Sequence, residues 1–219
     1  METLRDILGA AARGVFPAAD GGTTVVPQHR DRDAGVIAFT AHSVVFTDED
    51  PAWVYATLRT LDCDPLAATL HARFLAAFMA RTGRMSETVD ALLVGSPLPG
   101  DPALALTEVE DAAHPRIAYA RRRRDDVRAW TAEGGVLVLG RGVAGRLEVS
   151  VEVAESVRHR GLGRALATAA RQLVTEPLWA QVAPGNARST RAFQAAGYRP
   201  VGAEALLLPQ RKTPVWPSE

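Results

Sequence analysis

The stretch Arg158-His159-Arg160-Gly161-Leu162-Gly163-Arg164-Ala165 lies between two segments with different periodicity. Before it, apolar and polar side chains alternate from Leu147 to Val153, which predicts a strand with two different faces. After it, apolar residues of the segment Leu162–Val174 follow helical spacing and form one apolar stripe. The stretch is therefore predicted to be a loop that leads from a strand into the first turn of an amphipathic helix.

This loop carries positively charged side chains at a helix N-terminus, which is the positive end of the helix dipole and therefore repels them. Arg158, His159, Arg160 and Arg164 lie there, and no acidic residue occurs from position 156 to position 175. Because a helix N-terminus has free amides and the positive end of the helix dipole, it attracts anions. A bound phosphate would explain the pattern, since glycine allows close approach and arginine neutralises the phosphate charge. The alternative is a plain strand-to-helix turn with a solvated basic rim.

Two common phosphate-binding loops do not fit these residues. The Walker pattern requires a lysine followed by Ser or Thr, whereas Arg164-Ala165 stands here and Lys212 is the only lysine of the chain. The dinucleotide fingerprint requires a small residue where Leu166 stands and an acidic residue about 20 positions later. Both of these loops are excluded.

The spacing Arg158-x-x-Gly161-x-Gly163 resembles the pyrophosphate loop of the GNAT superfamily of acyl-CoA-dependent N-acyltransferases. A second block agrees with it. Leu178–Val182 is predicted as the next strand, and residues 186–202 resemble the family's later motif, an Asn-initiated helix that ends in Gly-aromatic. Asn186 is suited to cap that helix and Gly197 to end it in a left-handed turn. The resemblance covers about the last half of the chain.

The resemblance implies an α/β fold, α+β mixed, with a GNAT-type central mixed β-sheet flanked by helices. We predict two parts: residues 104–219 as the acyl-CoA-binding core and residues 1–103 as an N-terminal α/β segment. That segment either supplies the first strand and helices of the fold or forms a separate layer, which we slightly favour. Its predicted elements are strands at Thr23–Val26 and Gly35–Phe46 and helices at Met1–Arg13, Ala52–Leu61 and Leu66–Arg81. The proline-rich segment Gly95–Pro102 is the best linker candidate.

Acetyl-CoA is the cosubstrate that the resemblance implies, and no metal is expected. The pyrophosphate would be bound by the loop residues Arg158, His159, Arg160, Gly161, Leu162, Gly163 and Arg164. Val151 and Val153 would offer backbone groups of a splayed strand to the pantetheine, and Asn186 would lie beside the pantetheine arm. Phe193 stands where the family often has a tyrosine as general acid. This departure from the family pattern counts against ordinary acetyl transfer, although a CoA thiolate is a good leaving group that water can protonate.

The reaction also needs a general base, a carboxylate or histidine whose pKa is raised toward neutral. Glu148 and Glu152 lie on the polar face of the strand before the loop. Glu148 is our first choice, because it lies near the position where some members of the family carry their base. Two shielded carboxylates on one face would raise each other's pKa. The alternative for either residue is a solvated or salt-bridged glutamate.

Composition narrows the range of partners. The 25 basic and 25 acidic residues balance, so we expect no nucleic-acid partner and no membrane surface. Cys63 is the only cysteine, which excludes an internal disulfide and indicates a reducing compartment. Met1–Ala12 carries three charged residues in place of an apolar signal core, and no apolar run approaches the ~18 residues of a membrane span. We therefore expect a cytoplasmic protein.

The prediction for function is an N-acetyltransferase that moves an acetyl group from acetyl-CoA to a small-molecule primary amine by direct attack. A first alternative is a non-catalytic CoA-binding module that acts as a sensor or a partner-binding subunit, which Phe193 favours. A second keeps the fold but uses a longer acyl donor or hydrolyses a thioester. The oligomeric state stays open, and a homodimer is possible. The run Arg121–Arg124 is predicted as a surface strand edge.

Overall fold

A computed structural model describes residues 2–110 and 113–209. The helices of these residues are α1 (Leu4–Ala12), α2 (Pro51–Arg59), α3 (Pro65–Ala68), α4 (Ala72–Thr82), α5 (Pro115–Arg123), α6 (Leu162–Gln172) and α7 (Ala187–Ala195). The strands are β1 (Thr23–Val26), β2 (Ala34–Phe39), β3 (His42–Phe46), β4 (Arg84–Met85), β5 (Val89–Gly95), β6 (Thr107–Val109), β7 (Asp125–Ala132), β8 (Gly135–Arg141), β9 (Leu147–Val153), β10 (Leu178–Val182) and β11 (Arg199–Pro209).

The strands form one mixed sheet. Their order is β1-β3-β2-β11-β5-β10-β9-β8-β7-β6, and β4 pairs with the far end of β11. The pairs β1–β3 and β9–β10 are parallel, and the other pairs are antiparallel. The predicted α/β class and the central mixed sheet flanked by helices are confirmed.

The N-terminal part of the chain does not form a layer of its own, as we had slightly favoured, because its strands continue the sheet. Strand β5 lies between β10 and β11 and is antiparallel to both. The other alternative, in which this segment supplies the first strand and helices of the fold, stays a prediction; β6 and α5 precede β7 at the opposite edge of the sheet. The predicted boundary at residue 103 therefore separates two stretches of sequence but not two sheets.

The elements β5, β6 and α5 escape prediction from the sequence. Strand β5 contains Asp90 next to an apolar run, and β6 has only three residues. Helix α5 takes up the arginines that predict a strand edge. His114 caps α5 through its side chain, Pro115 occupies the first turn, and Arg121–Arg123 fill the last turn. Cations at a helix C-terminus are favourable, so this arginine run stabilises a helix end rather than a strand.

Two predicted segments are each divided by a turn. The predicted strand Gly35–Phe46 is the hairpin of β2 and β3, and its turn contains Ala41 with a positive φ of 58°. No glycine marks this turn, which explains why the apolar run reads as one strand. The predicted helix Leu66–Arg81 is broken before α4, where His71 accepts a hydrogen bond from the Arg73 amide.

Helices cover both faces of the sheet. On one face, α6 and α7 pack on β8, β9 and β10, with Leu93, Leu137 and Val149 in the shared core. Helix α4 packs on the same face farther along, against β2 and β11. On the other face, α1 packs against β5 and β10, and α5 packs against β7 and β8 through Ile117 and Ala120. We call these the α6 face and the α5 face.

The sheet opens between its two parallel central strands. Strands β9 and β10 pair only at Leu147 with Leu178 and at Glu148 with Trp179. Beyond this point β9 continues beside β8, and β10 continues beside β5. Both strands run toward the same edge, so the gap widens toward the loop that leads into α6. This opening positions the candidate site.

Candidate active site

The loop after β9 ends in a helix N-terminus that no side chain caps. The residue before α6 is Gly161, whose φ of 83° is in the left-handed region that favours glycine. The Ala165 amide donates to the Gly161 carbonyl at 3.0 Å, whereas no bond from a side chain caps the turn within the described residues. The amides of the first turn of α6 are therefore available to an anion.

The cationic side chains of this loop are exposed. Arg158 donates from Nε to the Val153 carbonyl at 3.3 Å and has its Nη1 3.7 Å from Glu155. Arg160 and Arg164 make no ion pair with any residue that the structure describes. His159 is exposed and has a positive φ of 65°. The structure thus brings free amides and unpaired guanidinium groups together at one end of the opening.

The other predicted contacts divide into two groups. Val151 and Val153 are half-buried on the α6 face, and the edge of β9 that carries them faces the opening with no partner strand among the described residues. Asn186 is exposed and caps α7 by accepting from the Ser189 amide at 3.1 Å. Phe193 has a different environment. It is 4% exposed and packs edge-on against Tyr198, with ring centroids 4.9 Å apart, so it contributes to the core.

Glu148 marks the start of the opening, but its environment is the opposite of the predicted one. Its carboxylate is buried and accepts from Arg146 Nε at 2.8 Å and from Arg124 Nε at 2.9 Å. Burial alone would raise the pKa of Glu148, but the two guanidinium charges outweigh burial and hold this pKa below its ordinary value. The expectation of a raised pKa at Glu148 is wrong.

Glu152 is also ion-paired, although closer to the surface. Its carboxylate accepts from Arg116 Nε of α5 at 3.0 Å, and its side chain is 45% exposed. Each of the two predicted carboxylates therefore has its own arginine partner. The sequence left this salt-bridged alternative open, but it could not reveal the partners, which come from α5 (Arg116), from the residue after α5 (Arg124) and from the turn before β9 (Arg146).

Buried charges continue from Glu148 toward β11. Arg146 donates from Nη2 to Glu204 at 2.7 Å, and its guanidinium carbon lies 5.4 Å from the ring centroid of Trp179. Gln181 also donates to Glu204, at 2.6 Å. Among the described residues, Arg146 Nη1 and Glu204 Oε1 are buried without a hydrogen-bond partner.

A small cavity of about 80 Å³ lies on the α5 face next to this network. Glu148 and Gln181 form one wall, Asp90 of β5 forms another, and Tyr119 and Arg123 of α5 line it from above the sheet. Burial, together with the nearby charge of Glu204, raises the pKa of Asp90 to about 6. Asp90 is a candidate that sequence reasoning missed, and an acidic residue beside the apolar run 91–94 was the available signal.

Neither a metal site nor a membrane helix is seen in the described residues. Within residues 2–110 and 113–209, no group of three or more His, Cys, Asp or Glu side chains is arranged to hold a metal ion. None of the helices in these ranges combines the length and the hydrophobicity that a membrane crossing needs.

A sheet that opens between parallel strands above an uncapped, arginine-rich helix end has the features that the sequence resemblance implies for acyl-CoA-dependent acyltransferases. Residues 105–198 match the model of the acetyltransferase (GNAT) family. This segment contains the opening, the loop and helices α5, α6 and α7. Segment 105–198 therefore corresponds to a GNAT acetyltransferase domain. No curated protein matches it.

Solved structures of GNAT proteins are similar to this chain at low identity. A GCN5-related N-acetyltransferase from Kribbella flavida is 23% identical with a TM-score of 0.41, over 63% of this chain and 64% of that one. Another from Sphaerobacter thermophilus is 16% identical with a TM-score of 0.36, over 60% and 54%. A GNAT-family acetyltransferase from Colwellia psychrerythraea is 6% identical with a TM-score of 0.40, over 80% and 81%. The chain spans less than two thirds of the first two proteins.

Proposed function

We propose that this protein is an N-acetyltransferase that transfers an acetyl group from acetyl-CoA to a small-molecule primary amine by direct attack. The observation that carries the proposal is the opening between β9 and β10, which leads to the uncapped first turn of α6. Because this feature lies within the family-matched segment 105–198, position and family point to the same chemistry.

The residues at the opening fit an acyl-CoA. The amides of Leu162, Gly163 and Arg164 and the side chains of Arg158 and Arg160 would bind the pyrophosphate. His159 and Gly161 shape the turn, through their positive φ values. The free edge of β9 at Val151 and Val153 would hold the pantetheine amides, and Asn186 would lie at the mouth of the opening. When bound, the cosubstrate supplies an activated acyl thioester.

In the proposed reaction the amine must be neutral before it attacks. Its nitrogen then forms a bond to the acyl carbon, and the bond from that carbon to sulfur breaks. Phe193 cannot protonate the departing thiolate, because it has no hydroxyl and is buried. We therefore propose that water delivers this proton. Glu148 is retained as a fixed anion that organises the start of the opening, since its two arginines compete with any proton for its carboxylate.

A second candidate function is a CoA-binding module without transfer activity. Two observations favour it: Phe193 stands in place of the family's frequent tyrosine, and Glu148 is held in ion pairs. Such a module would bind CoA and acetyl-CoA alike and release no thiol in the presence of amines. For either function we propose a cytoplasmic protein, in keeping with the single cysteine Cys63, and no nucleic-acid partner or metal requirement. A homodimer is compatible with both functions.

Thermal unfolding with and without excess acetyl-CoA tests the proposal, with free CoA as a second ligand. A ligand at about a hundred times its Kd stabilises by roughly 2.7 kcal/mol, which moves the midpoint by several degrees. We expect this upward shift, followed by thiol release when primary amines are added. A shift without thiol release for any amine favours the binding module. No shift at millimolar ligand contradicts both functions.

A further inference from the structure

We propose that the cavity on the α5 face receives the acceptor as a primary ammonium group on a slender alkyl chain, and that Asp90 is the catalytic base that takes its proton. This inference rests on the proposed N-acetyltransferase function. It adds an acceptor class and a base that come from β5, outside the family-matched segment 105–198.

Asp90 lies close to the place where β9 and β10 separate. Strand β5 lies directly beside β10, and Asp90 is opposite Glu204 in the pairing of β5 with β11. Asp90 and Glu148 line the same cavity, and Glu148 is the residue at which β9 and β10 begin to separate. A group held at Asp90 is therefore next to the start of the opening in which the acyl group is proposed to lie.

The carboxylates near Asp90 each have an arginine partner, whereas Asp90 has none among the described residues. Glu87 is bound by Arg123 at 2.8 Å and by the Tyr119 hydroxyl at 3.3 Å, and Asp33 is bound by Arg32 at 3.2 Å. Glu148 has Arg146 and Arg124 as partners. Asp90 is half-buried and makes no hydrogen bond or ion pair with any described residue. It is thus the carboxylate of this cavity that is left to a ligand.

The buried carboxylate of Glu204, the cross-strand neighbour of Asp90, also favours a cation at this place. Glu204 is 1% exposed, and its Oε1 accepts no hydrogen bond from the described residues. Its other oxygen accepts from Arg146 and Gln181. Burying an anionic oxygen without a donor is costly, so a cation held at the neighbouring Asp90 would lower that cost.

The cavity volume limits the acceptor to an unhindered amine. In the same measure one water needs about 10–15 Å³, so a cavity of about 80 Å³ has room for about half a dozen water-sized groups. An ammonium group with two or three methylene carbons fits this space, whereas a six-membered ring attached directly to the nitrogen does not. The remainder of the acceptor would extend toward solvent.

The proton transfers balance in this scheme. The ammonium N–H bond breaks, and its proton goes to the Asp90 carboxylate and from there to solvent. The freed lone pair of nitrogen forms the bond to the acyl carbon, while the bond from carbon to sulfur breaks. The second proton lost by nitrogen neutralises the thiolate through water. The products are an amide and free CoA thiol, with one proton released.

Asp90 is suited to this role because it titrates near neutral pH. Burial raises its pKa to about 6, the charges of Glu204 and Glu87 act in the same direction, and Arg123 opposes them. The other charged groups near the cavity are Glu148, Arg124 and Asp33. A base with this pKa is ionised above about pH 6 and still binds a proton strongly enough to remove it from a positioned ammonium.

The test compares wild type, Asp90→Asn and the matched control Asp62→Asn, an exposed position between α2 and α3 outside the cavity lining, with 1,4-diaminobutane as acceptor probe and 1,4-butanediol as its neutral analogue. Thiol release is followed from pH 5 to pH 9 at saturating acetyl-CoA. We expect kcat/KM of wild type to rise through about pH 6, and Asp90→Asn to lose about 100-fold or more in kcat and this acidic limb. Asp62→Asn should stay within about threefold of wild type and keep the acidic limb.

Acetyl-CoA-induced thermal shifts of the same three proteins separate the two proposals. Equal shifts with loss of turnover in Asp90→Asn alone support Asp90 as the base. Retained turnover or a retained acidic limb in Asp90→Asn overturns it, and so does an equal loss in Asp62→Asn. If wild type binds acetyl-CoA but neither binds the diamine in preference to the diol nor acetylates it, the acceptor site is overturned while the CoA site stands. No shift in wild type means that the proposed function itself has failed.

Discussion

The two faces of the sheet hold charge in different ways beside the opening. On the α6 face the arginines of the loop, Arg160 and Arg164, are exposed and unpaired within the described residues. On the α5 face Arg146, Glu148 and Glu204 are buried and bind one another. Exposed, unpaired charge is available to a diffusing ligand, whereas buried, paired charge is committed to the fold. The comparison shows which charged residues can serve binding and which serve structure.

The largest expected effect is loss of a buried partner on the α5 face. Arg146→Met leaves Glu148 and Glu204 buried without their shared cation, so the free energy of unfolding should fall by about 3–5 kcal/mol. Urea unfolding measures this change. The triple variant Arg146→Met/Glu148→Gln/Glu204→Gln, which removes the charges together, should recover most of the loss. If the free energy of unfolding of Arg146→Met lay within about 1 kcal/mol of wild type, these ion pairs would not stabilise the fold.

The second effect concerns the exposed arginines of the α6 face. Replacing Arg160 and Arg164 with alanine should weaken acetyl-CoA binding about tenfold for each residue, because a hydrogen bond to a charged group is worth roughly 1.5 kcal/mol or more. Titration calorimetry at two salt concentrations measures the affinity, and urea unfolding should be unchanged. Arg121→Ala, at the exposed end of α5, is the matched control. Unaltered affinity in the double variant would refute the phosphate loop.

The two glycines of the loop should respond differently. Gly161→Ala places a side chain at a φ of 83° and should cost about 1–2 kcal/mol of stability. At Gly163 an added Cβ meets its nearest neighbours at 3.6 and 3.7 Å, so Gly163→Ala should be neutral or slightly stabilising. We expect Gly163→Ala to weaken acetyl-CoA binding without unfolding the protein. Undiminished affinity would mean that close approach of a ligand is not the reason for glycine at this position.

The smallest effect is on the pH dependence of stability. Asp90 has a pKa of about 6 in the folded protein against 3.8 as the ordinary value, so the folded state binds its proton more tightly. Stability from this group is present below the ordinary value and is lost as pH rises through about 6. Because Asp90 is only half-buried, we discount its effect on the free energy of unfolding to about 1 kcal/mol. Asp90→Asn should therefore raise Tm by about 2–4 °C at pH 7.5 and leave Tm unchanged at pH 3.5. An equal Tm at both pH values would show that the Asp90 carboxylate is not destabilised by its surroundings.

Local patterns were sufficient for the α6 side of the site. The alternation of β9, the bounds of β10 and the Asn186 cap of α7 are all recognisable from neighbouring residues. The α5 side depends on contacts between distant parts of the chain. Neither Asp90 nor Arg124 carries a local signal for its partners, because β5 and α5 meet the strands of the opening only in the folded sheet. For this reason the sequence could place Glu148 on the polar face of β9 but could not predict the two arginines that lower its pKa.

The position of β5 between β10 and β11 also constrains how the protein can fold during synthesis. The strand at residues 89–95 must wait for partners at residues 178–182 and 199–209, which are synthesised much later. Sheets built from such distant pairings fold slowly. If segment 105–198 were produced alone, it would lack both β5 and β11. Strand β10 would then be an unpaired, apolar edge strand, which favours aggregation. Segment 105–198 is therefore not expected to fold when it is separated from the strands that flank it.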